Sequence, residues 1–473
     1  MLDSCDCFGE VGINDLIDRS LISISQDTNV KEAYSGRIVE MQSVERIEMH
    51  DLVQEMGRAI ARKQGSRLFN ADDVYKALTN NQVHGHVQAI SFDMNKIEKA
   101  TLERCKLQKD VSTQMATYLY WEGYPLESLP SKFSAQNLLV LDTPYSDFGV
   151  QLWNEDQSPV NLKRINLHLC PYLTEVPNLS QCLNIERINL GECESLVEIP
   201  SYFQHLGKLT YLKLEDCTNL KNLPEMPCNL EILKLSRTAI EELPSSVWSH
   251  EKISRLDVKY CKHLKSLPGS TCKLKLLSSF SLKGCESLCE FWELPRDTTV
   301  LEFSSTTIKE LRNESIESVI GLTTIKLTNC KSLVSLPMNI WKLKYLESLN
   351  LSGCSNFQHF PEISEAMEHL EFLNLSGTMV KEVPKSIGNL VALGKLLMVE
   401  CSIQEIPDDL FCLTSLQELN LSLTEIKSIP ASVKQAAQLS RLCLNGCESL
   451  ESLPELPPLL QRLEALHSHK KVG

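Results

Sequence analysis

One leucine frame recurs along most of this chain and constrains its fold more than any other feature. The frame reads L-x-x-L-x-L-x-x-C/T, runs on for two or three residues to Leu or Ile, and ends on Leu-Pro or Ile-Pro. Clear copies begin at Asn161, Lys208, Tyr345 and Ser415, and successive copies are 21 to 24 residues apart. Fifteen copies and a fragment (459–466) follow residue 116 or so. A unit this short cannot bury its own apolar face, so the chain must fold by stacking neighbouring repeats.

The frame and its period predict an α/β leucine-rich-repeat solenoid. The x-L-x-L stretch alternates with period two, which indicates a short strand with one buried face. Stacked strands are expected to pair in parallel as a curved, concave sheet of at least thirteen strands, from near Tyr118 to near Leu442. The proline that ends most repeats fixes φ and lacks a donor, so the convex side should be short and irregular, without helices of ten or more residues. The copy in which Thr298 takes a leucine position should have the weakest register.

Nine of the 18 cysteines fall at the C/T position of the frame, here called the ladder position. They are Cys170, Cys193, Cys217, Cys261, Cys285, Cys330, Cys354, Cys401 and Cys447, and Thr238, Thr306, Thr378 and Thr424 take the same place in other repeats. A small, weakly polar side chain suits an inward position beside backbone groups, so we interpret the ladder as structural rather than catalytic. Only Cys5 and Cys7 form a close pair, and no metal site is predicted. Three Asn-Leu-Ser sequons, at Asn350, Asn374 and Asn420, arise from the frame and are interpreted as chance glycosylation signals.

Composition and termini exclude several classes of function. The net charge of −14 disfavours nucleic acid as a partner. The N-terminal sequence lacks the pattern of a signal peptide, and no window of 18 apolar residues predicts a membrane span. We therefore expect reduced thiols and a cytoplasmic or nuclear location. No Ser-His-Asp, metal or phosphate-binding constellation can be assembled from repeat positions, so the chain is not expected to be an enzyme.

The outward x positions of the strands predict where partners bind. In the early repeats they place six residues on the concave face: Arg164, Arg187, Tyr211, Lys213, Lys234 and Arg255. Because like charges on neighbouring strands repel, this cluster indicates an acidic protein partner, although each residue alone could belong to a solvated face. In later repeats the same columns hold Phe372, Lys395 and Leu397, which we consider a candidate ligand face.

The N-terminal region follows other rules. Residues 12–19 and 52–63 have helical patterns, and residues 20–25 and 47–49 have the character of hairpin strands. The resulting boundaries are 1–66 for part of a small winged-helix unit, 67–115 for a linker and cap, 116–466 for the repeats and 467–473 for a tail.

This region resembles plant intracellular immune receptors, the TIR-NB-ARC-leucine-rich-repeat disease resistance proteins. The resemblance rests on LIDRSLISI (16–24), MHDLVQEMGRAIAR (49–62), SRLFNADDVYKALTNN (66–81), VQAISFDMNKIE (87–98) and YLYWEGYPLESLPSKF (118–133). It implies that His50 of the triplet Met49-His50-Asp51 corresponds to a residue that contacts the β-phosphate of ADP. The full-length family binds ADP or ATP. The sequence contains no G-x-x-x-x-G-K-[ST] motif and no TIR domain, so we expect a truncated chain that has no cofactor and binds no ADP alone.

The resemblance implies a protein-recognition and autoinhibitory module of an innate immune receptor. In the family the early repeats pack against the NB-ARC module and later repeats tend to recognise ligands. The expected partners are the receptor's own NB-ARC module or a partner receptor, and a pathogen effector or guarded host protein. Two alternatives stay open at this point: the ectodomain of a cell-surface receptor, and a stand-alone repeat adaptor.

Overall fold

The computed structural model describes four separate segments near the N-terminus, each a strand, at 22–27, 44–49, 67–68 and 89–93. It then describes residues 117–466, with short gaps at 125–126, 130–134, 150–151, 154–157, 269–271, 277–278 and 292. The chain forms two compact units. The first comprises Met1–Leu173 and Pro177–Ile188, and the second comprises Thr174–Val176 and Asn189–Gly473.

The N-terminal region contains an antiparallel hairpin of β1 (Ile22–Asp27) and β2 (Val44–Met49), with Ile22 opposite Met49. This confirms the hairpin predicted from the alternating residues. The two predicted helices, at 12–19 and 52–63, lie outside the described residues.

Parallel pairing in the first unit begins earlier than predicted. Strands β3 (Arg67–Leu68), β4 (Ala89–Asp93), β5 (Tyr118–Glu122), β6 (Val140–Asp142) and β7 (Arg164–Asn166) pair in chain order. Strand β8 (Arg187–Asn189) follows, and the backbone amides of residues 186 and 187 donate to the carbonyl of Lys163. The first parallel strand is therefore not the one near Tyr118. The segment predicted as linker and cap contributes two strands of its own. These strands precede the regular repeats, and the leucine frame cannot be recognised in them from the sequence.

The second unit is also built from short parallel strands. Strands β9 (Tyr211–Lys213), β10 (Ile232–Lys234) and β11 (Arg255–Asp257) are parallel and in register. Nine further strands then form a sheet in chain order. They are β12 (Ser279–Ser281), β13 (Val300–Glu302), β14 (Thr324–Lys326), β15 (Ser348–Asn350), β16 (Phe372–Asn374), β17 (Lys395–Leu397), β18 (Glu418–Asn420), β19 (Arg441–Cys443) and β20 (Arg462–Glu464). The predicted parallel pairing is confirmed, and it extends one strand beyond Leu442. The predicted single sheet of at least thirteen strands is wrong, because β11 and β12 do not pair within the described residues and the sheet beginning at β12 has nine strands.

The return segments between the strands are short, as the proline column predicts. The helical turns are 3₁₀ turns at Ala135–Asn137, Ser201–His205, Met338–Lys342, Lys385–Asn389, Asp408–Cys412 and Ala431–Gln435, and single α-turns α1 (Ser245–Trp248) and α2 (Asn313–Glu317). Within the described part of the chain none exceeds five residues. Most of these turns begin directly after the repeat's proline, whose extended backbone ends the preceding segment. Turn α2 begins after Arg312, which stands where other repeats have proline.

The ladder residues point inward and hydrogen-bond to the backbone. The thiols of Cys217, Cys354 and Cys401 donate to carbonyls of buried leucines 26 or 27 residues earlier, at 2.9–3.0 Å. The hydroxyl of Thr378 donates at 2.6 Å to the carbonyl of Leu375, which also accepts from Cys401. These ladder residues therefore satisfy strand-end carbonyls inside the core, which is the structural role expected of the ladder.

The repeat with the irregular residue Thr298 keeps its register, since β13 pairs with strands on both sides. The irregularity shows at the side chain instead. Thr298 is fully buried, and its hydroxyl has no hydrogen-bond partner. A polar group buried without a partner is destabilising, so threonine at this leucine position is expected to weaken the repeat locally.

Candidate protein-binding surface

Strand geometry presents two residues of each repeat to the surface. In the three-residue strands before β20 the middle side chain is buried and its two neighbours lie on the opposite side of the sheet. We call the side formed by these flanking residues the open face. The middle residues, such as Leu212, Leu349 and Leu373, are fully buried. The frame therefore fixes which residues a partner can reach.

In the first unit, Arg164 and Arg187 are exposed on the open face as the first residues of β7 and β8. An acidic group that the sequence argument overlooked lies nearby. Asp142 on β6 pairs in register with Asn166 and accepts a hydrogen bond from its amide at 2.7 Å. Burial raises the pKa of Asp142, the bond from Asn166 opposes that shift, and the charge of Glu122 adds to it. The open face near Arg164 is thus less uniformly basic than the outward positions predicted from the sequence indicate.

In the second unit, two of the predicted cations are already paired. The ammonium groups of Lys213 and Lys234 lie 3.1 Å and 3.5 Å from the carboxylate of Glu215. Partial burial acts to raise the pKa of Glu215, but the two lysines outweigh it and lower the pKa below its ordinary value. Sequence reasoning missed Glu215, although it stands at the next outward position after Lys213. The charge available to a partner here is therefore smaller than the count of lysines indicates.

A row of mixed chemistry crosses the same three strands. Tyr211 on β9, Ile232 on β10 and Arg255 on β11 are neighbours in register. Arg255 is exposed, and no carboxylate in the described residues pairs with it. Tyrosine and arginine are among the residue types that supply most binding energy at protein interfaces. Ile232 is the residue of this row that was not predicted from the sequence.

The candidate ligand face lies on β16 and β17. Phe372 pairs in register with Lys395, and Asn374 pairs with Leu397; Phe372, Lys395 and Leu397 are all half-buried. Lys395 forms an ion pair with Glu418 at 2.8 Å, so its charge is engaged within the chain.

That ion pair is the first of a series that crosses the last strands of the sheet. Glu418 also meets Arg441 at 3.5 Å, Arg441 meets Glu464 at 3.0 Å, and Arg462 meets Glu464 at 2.6 Å. The open face of β17–β20 thus satisfies its charges internally.

The frame asparagines have a role that their interpretation as chance sequons missed. The side-chain oxygens of Asn350, Asn374 and Asn420 each accept the backbone N–H of the serine two residues later, at 3.0 Å. The repeated Asn-Leu-Ser pattern therefore closes the end of the strand. The recurrence of Asn-Leu-Ser at one position of the frame could have indicated this role from the sequence.

The nucleotide-contact triplet falls largely beyond what the structure describes. Met49 ends β2 opposite Ile22, whereas His50 and Asp51 lie outside the described residues. In the described part of the chain no group of His, Cys, Asp or Glu side chains could hold a metal ion. Nor does that part contain a helix of the length and apolarity that crossing a membrane requires.

Comparison with known proteins finds relatives of one kind. The disease resistance protein RPP2B of Arabidopsis thaliana is 34% identical over 89% of this chain and 36% of its own length. The disease resistance protein RPP2A of the same plant is 30% identical over 71% of this chain and 23% of its own length. The TMV resistance protein N of Nicotiana glutinosa is 28% identical over 74% of this chain and 27% of its own length. This chain thus spans well under half the length of the curated relatives it matches.

No family model matches the sequence. Among solved structures, the leucine-rich-repeat protein LIC12759 of Leptospira interrogans matches with 21% identity and a TM-score of 0.42, covering 71% of this chain and 88% of that one.

Proposed function

We propose that this chain, which is homologous to the plant disease resistance proteins over most of its length, is the protein-recognition module of such an immune receptor. The observation that carries the proposal is the open face, where a constant frame presents a changing set of exposed side chains to a partner. Repeats that differ only at outward positions keep their fold while varying what they bind. The chain's contribution on this proposal is recognition, without catalysis of its own.

The basic residues of the early repeats are proposed to contact an acidic surface of the receptor's own NB-ARC module, or of a partner receptor, and to hold the receptor inactive. Arg164, Arg187 and Arg255 are exposed on the open face and would supply the attraction, while Lys213 and Lys234 share one carboxylate, that of Glu215, and would add less. Tyr211 would add apolar contact on the same row as Arg255. Rim charges of this kind act mainly on association and on its salt dependence.

The later repeats are proposed to recognise the ligand, a pathogen effector or a guarded host protein, through Phe372, Lys395 and Leu397. Phe372 and Leu397 supply apolar area at the centre of the surface, which is where binding energy concentrates in protein interfaces. On this proposal the receptor acts inside the cell.

The test is capture of a relative's purified NB-ARC module by this chain at low and at high salt. The double variant Arg187→Glu and Arg255→Glu should weaken capture and reduce its dependence on salt. The matched control, Lys331→Glu with Lys381→Glu, makes the same change in net charge at exposed lysines away from the strands. If both double variants lose capture equally, the effect is due to net charge alone. If the arginine double variant captures the module as well as the unchanged chain does, Arg187 and Arg255 are solvated side chains without a role in binding.

A further inference from the structure

Three adjacent strands in the later repeats combine amide, apolar and charged side chains on the open face. We call it the amide face: Ser348 and Asn350 on β15, Phe372 and Asn374 on β16, and Lys395 and Leu397 on β17. The register makes it a grid, since Ser348 lies beside Phe372 and Asn350 beside Asn374. Neighbouring members of a row are separated by one strand spacing, about 4.8 Å.

The two asparagines of the amide face present fixed and unused hydrogen-bond donors. Each side-chain oxygen is held by a backbone N–H, of Ser352 for Asn350 and of Ser376 for Asn374, which fixes the orientation of the amide. Each amide nitrogen then carries two donors, and no described residue accepts from either. At the same frame position Asn166 donates its amide to Asp142. Donors that are oriented before binding cost little conformational entropy when a ligand takes them.

The backbone is bare beside one of these two amides. Gly353 and Gly377 follow the two serines and occupy the turn position in left-handed conformations, with φ of 74° and 68°. A Cβ built on Gly377 would meet only the backbone of Gly353, at 3.4 Å, whereas the side chain of Asn329 covers Gly353, as Tyr260 covers Gly284. A ligand main chain can therefore approach closely at the Gly377 turn, beside Asn374.

The opposite end of the same strands carries unbalanced negative charge. Glu347 and Glu371 precede β15 and β16, both are exposed, and they are direct neighbours, since the Glu371 N–H donates to the Glu347 carbonyl at 2.9 Å. Within the described residues neither forms an ion pair, in contrast to the carboxylates of β17–β20. Lys326, which borders Asn350 on the flanking strand, already lies opposite Glu302. Like charges side by side are unfavourable unless a cation binds between them.

We propose that the amide face binds an extended, basic peptide segment of a protein partner. The main-chain carbonyls of the segment accept hydrogen bonds from Asn350 and Asn374, and an apolar side chain of it contacts Phe372 and Leu397. A lysine or arginine side chain of the segment reaches Glu347 and Glu371. An extended segment fits because its main-chain carbonyls are free to accept hydrogen bonds along its length. The inference rests on the proposed ligand face and names the chemistry of its ligand.

The probe is a library of random 12-residue peptides displayed on phage and selected on the full chain. Recovered peptides should contain more Lys and Arg than Asp and Glu. Their synthetic versions should bind the double variant Asn350→Asp and Asn374→Asp roughly tenfold more weakly, because two donors are lost. Aspartate keeps the strand-end bond, since Asp257 at the same frame position accepts the Lys259 N–H at 3.2 Å. The added negative charge would by itself attract a basic peptide, so weaker binding isolates the amides.

The matched control is Asn420→Asp, which makes the same change on β18, two strands from Asn374, and should leave binding within about twofold. Charge reversal by Glu347→Lys with Glu371→Lys should abolish binding of the basic peptides. Recovery of acidic peptides, recovery of none, or unchanged binding to the Asn→Asp double variant would each overturn the inference. If Phe372→Ala weakens binding while the Asn→Asp variant does not, the inference fails and the proposed ligand face stands. If neither has an effect, both fail.

Discussion

The buried and open sides of the sheet are made from alternating residues of the same strands, yet they differ in almost every respect. On the buried side Leu349 and Leu373 are fully enclosed and have leucine or isoleucine counterparts in nearly every repeat. On the open side their chain neighbours Ser348 and Phe372 share only a position. Each buried residue must fill the space left by the next repeat, whereas each outward residue must only avoid disturbing the strand. The residues of the buried side therefore determine stability, and those of the open side determine binding specificity.

The open side itself divides by how its charges are satisfied. Lys213 and Lys234 share Glu215, and Lys395 begins a series of ion pairs, while Asn350 and Asn374 keep their donors. Groups already satisfied within the chain gain little from a partner, whereas unsatisfied donors and charges gain more. A count of charged residues alone therefore does not show how much charge each strand has left for a partner.

The largest expected effect separates the two sides directly. Leu373→Ala should lower the free energy of unfolding by about 2–5 kcal/mol, because it opens a cavity in a fully packed core. Ser348→Ala, one strand away on the open side, should change it by less than about 0.5 kcal/mol. Urea unfolding followed by circular dichroism measures both. Similar costs for the two variants would show that the sides do not differ in the way proposed.

The ladder gives a smaller effect on the buried side. Cys354→Ala removes a thiol that donates to the Leu327 carbonyl at 2.9 Å, and should cost about 1–2 kcal/mol. Cys354→Thr should cost less, because Thr378 takes the same position in the next repeat and bonds its own strand-end carbonyl. The comparison uses the same urea unfolding. A threonine variant as unstable as the alanine variant would argue against a hydrogen-bonding role for the ladder.

The sequence was sufficient for the buried side. Period-two leucines, the proline column and the ladder position together predict parallel strands, short return segments and inward cysteines, and all three are present. Each of these follows from a residue type repeated at one position, so a single sequence carries its own internal comparison. The strands at 67–68 and 89–93 were missed because they precede the regular repeats and offer no such comparison.

The open side was only partly predictable. The frame correctly identified which residues face outward, but not how they interact across strands. Glu215 meets Lys234, 19 positions later, and Asp142 lies in register with Asn166, 24 positions later, because stacking brings together residues of neighbouring repeats. The amide donors of Asn350 and Asn374 are unused because the described neighbouring strands place no hydrogen-bond acceptor beside them. This can be seen only once the register of the strands is known.

A third prediction concerns alkaline pH. Burial raises the pKa of the Cys261 thiol from an ordinary value near 9.0 to about 11. The unfolded chain then releases the thiol proton before the folded chain does, so the contribution is fully present below pH 9 and is lost between about pH 9 and 11. Relative to Cys261→Thr, the protein should lose about 1 kcal/mol of unfolding free energy between pH 8 and pH 10. Parallel stability curves for the two proteins would contradict a buried, protonated thiol.

The smallest effect is expected where the open side satisfies its own charges. Glu215→Gln should lower stability by only about 0.2–1 kcal/mol, because the ion pairs of Lys213 and Lys234 remain partly exposed to solvent. The same change releases two lysines onto the open face, so capture of an acidic NB-ARC surface should strengthen at low salt and gain salt dependence. Glu286→Gln is the matched control, since it removes an exposed carboxylate paired with Lys262 outside the strands. Stronger capture by the first variant alone would show that Glu215 limits the basic face. Equal capture by both would mean that Lys213 and Lys234 take no part in binding, whatever their position.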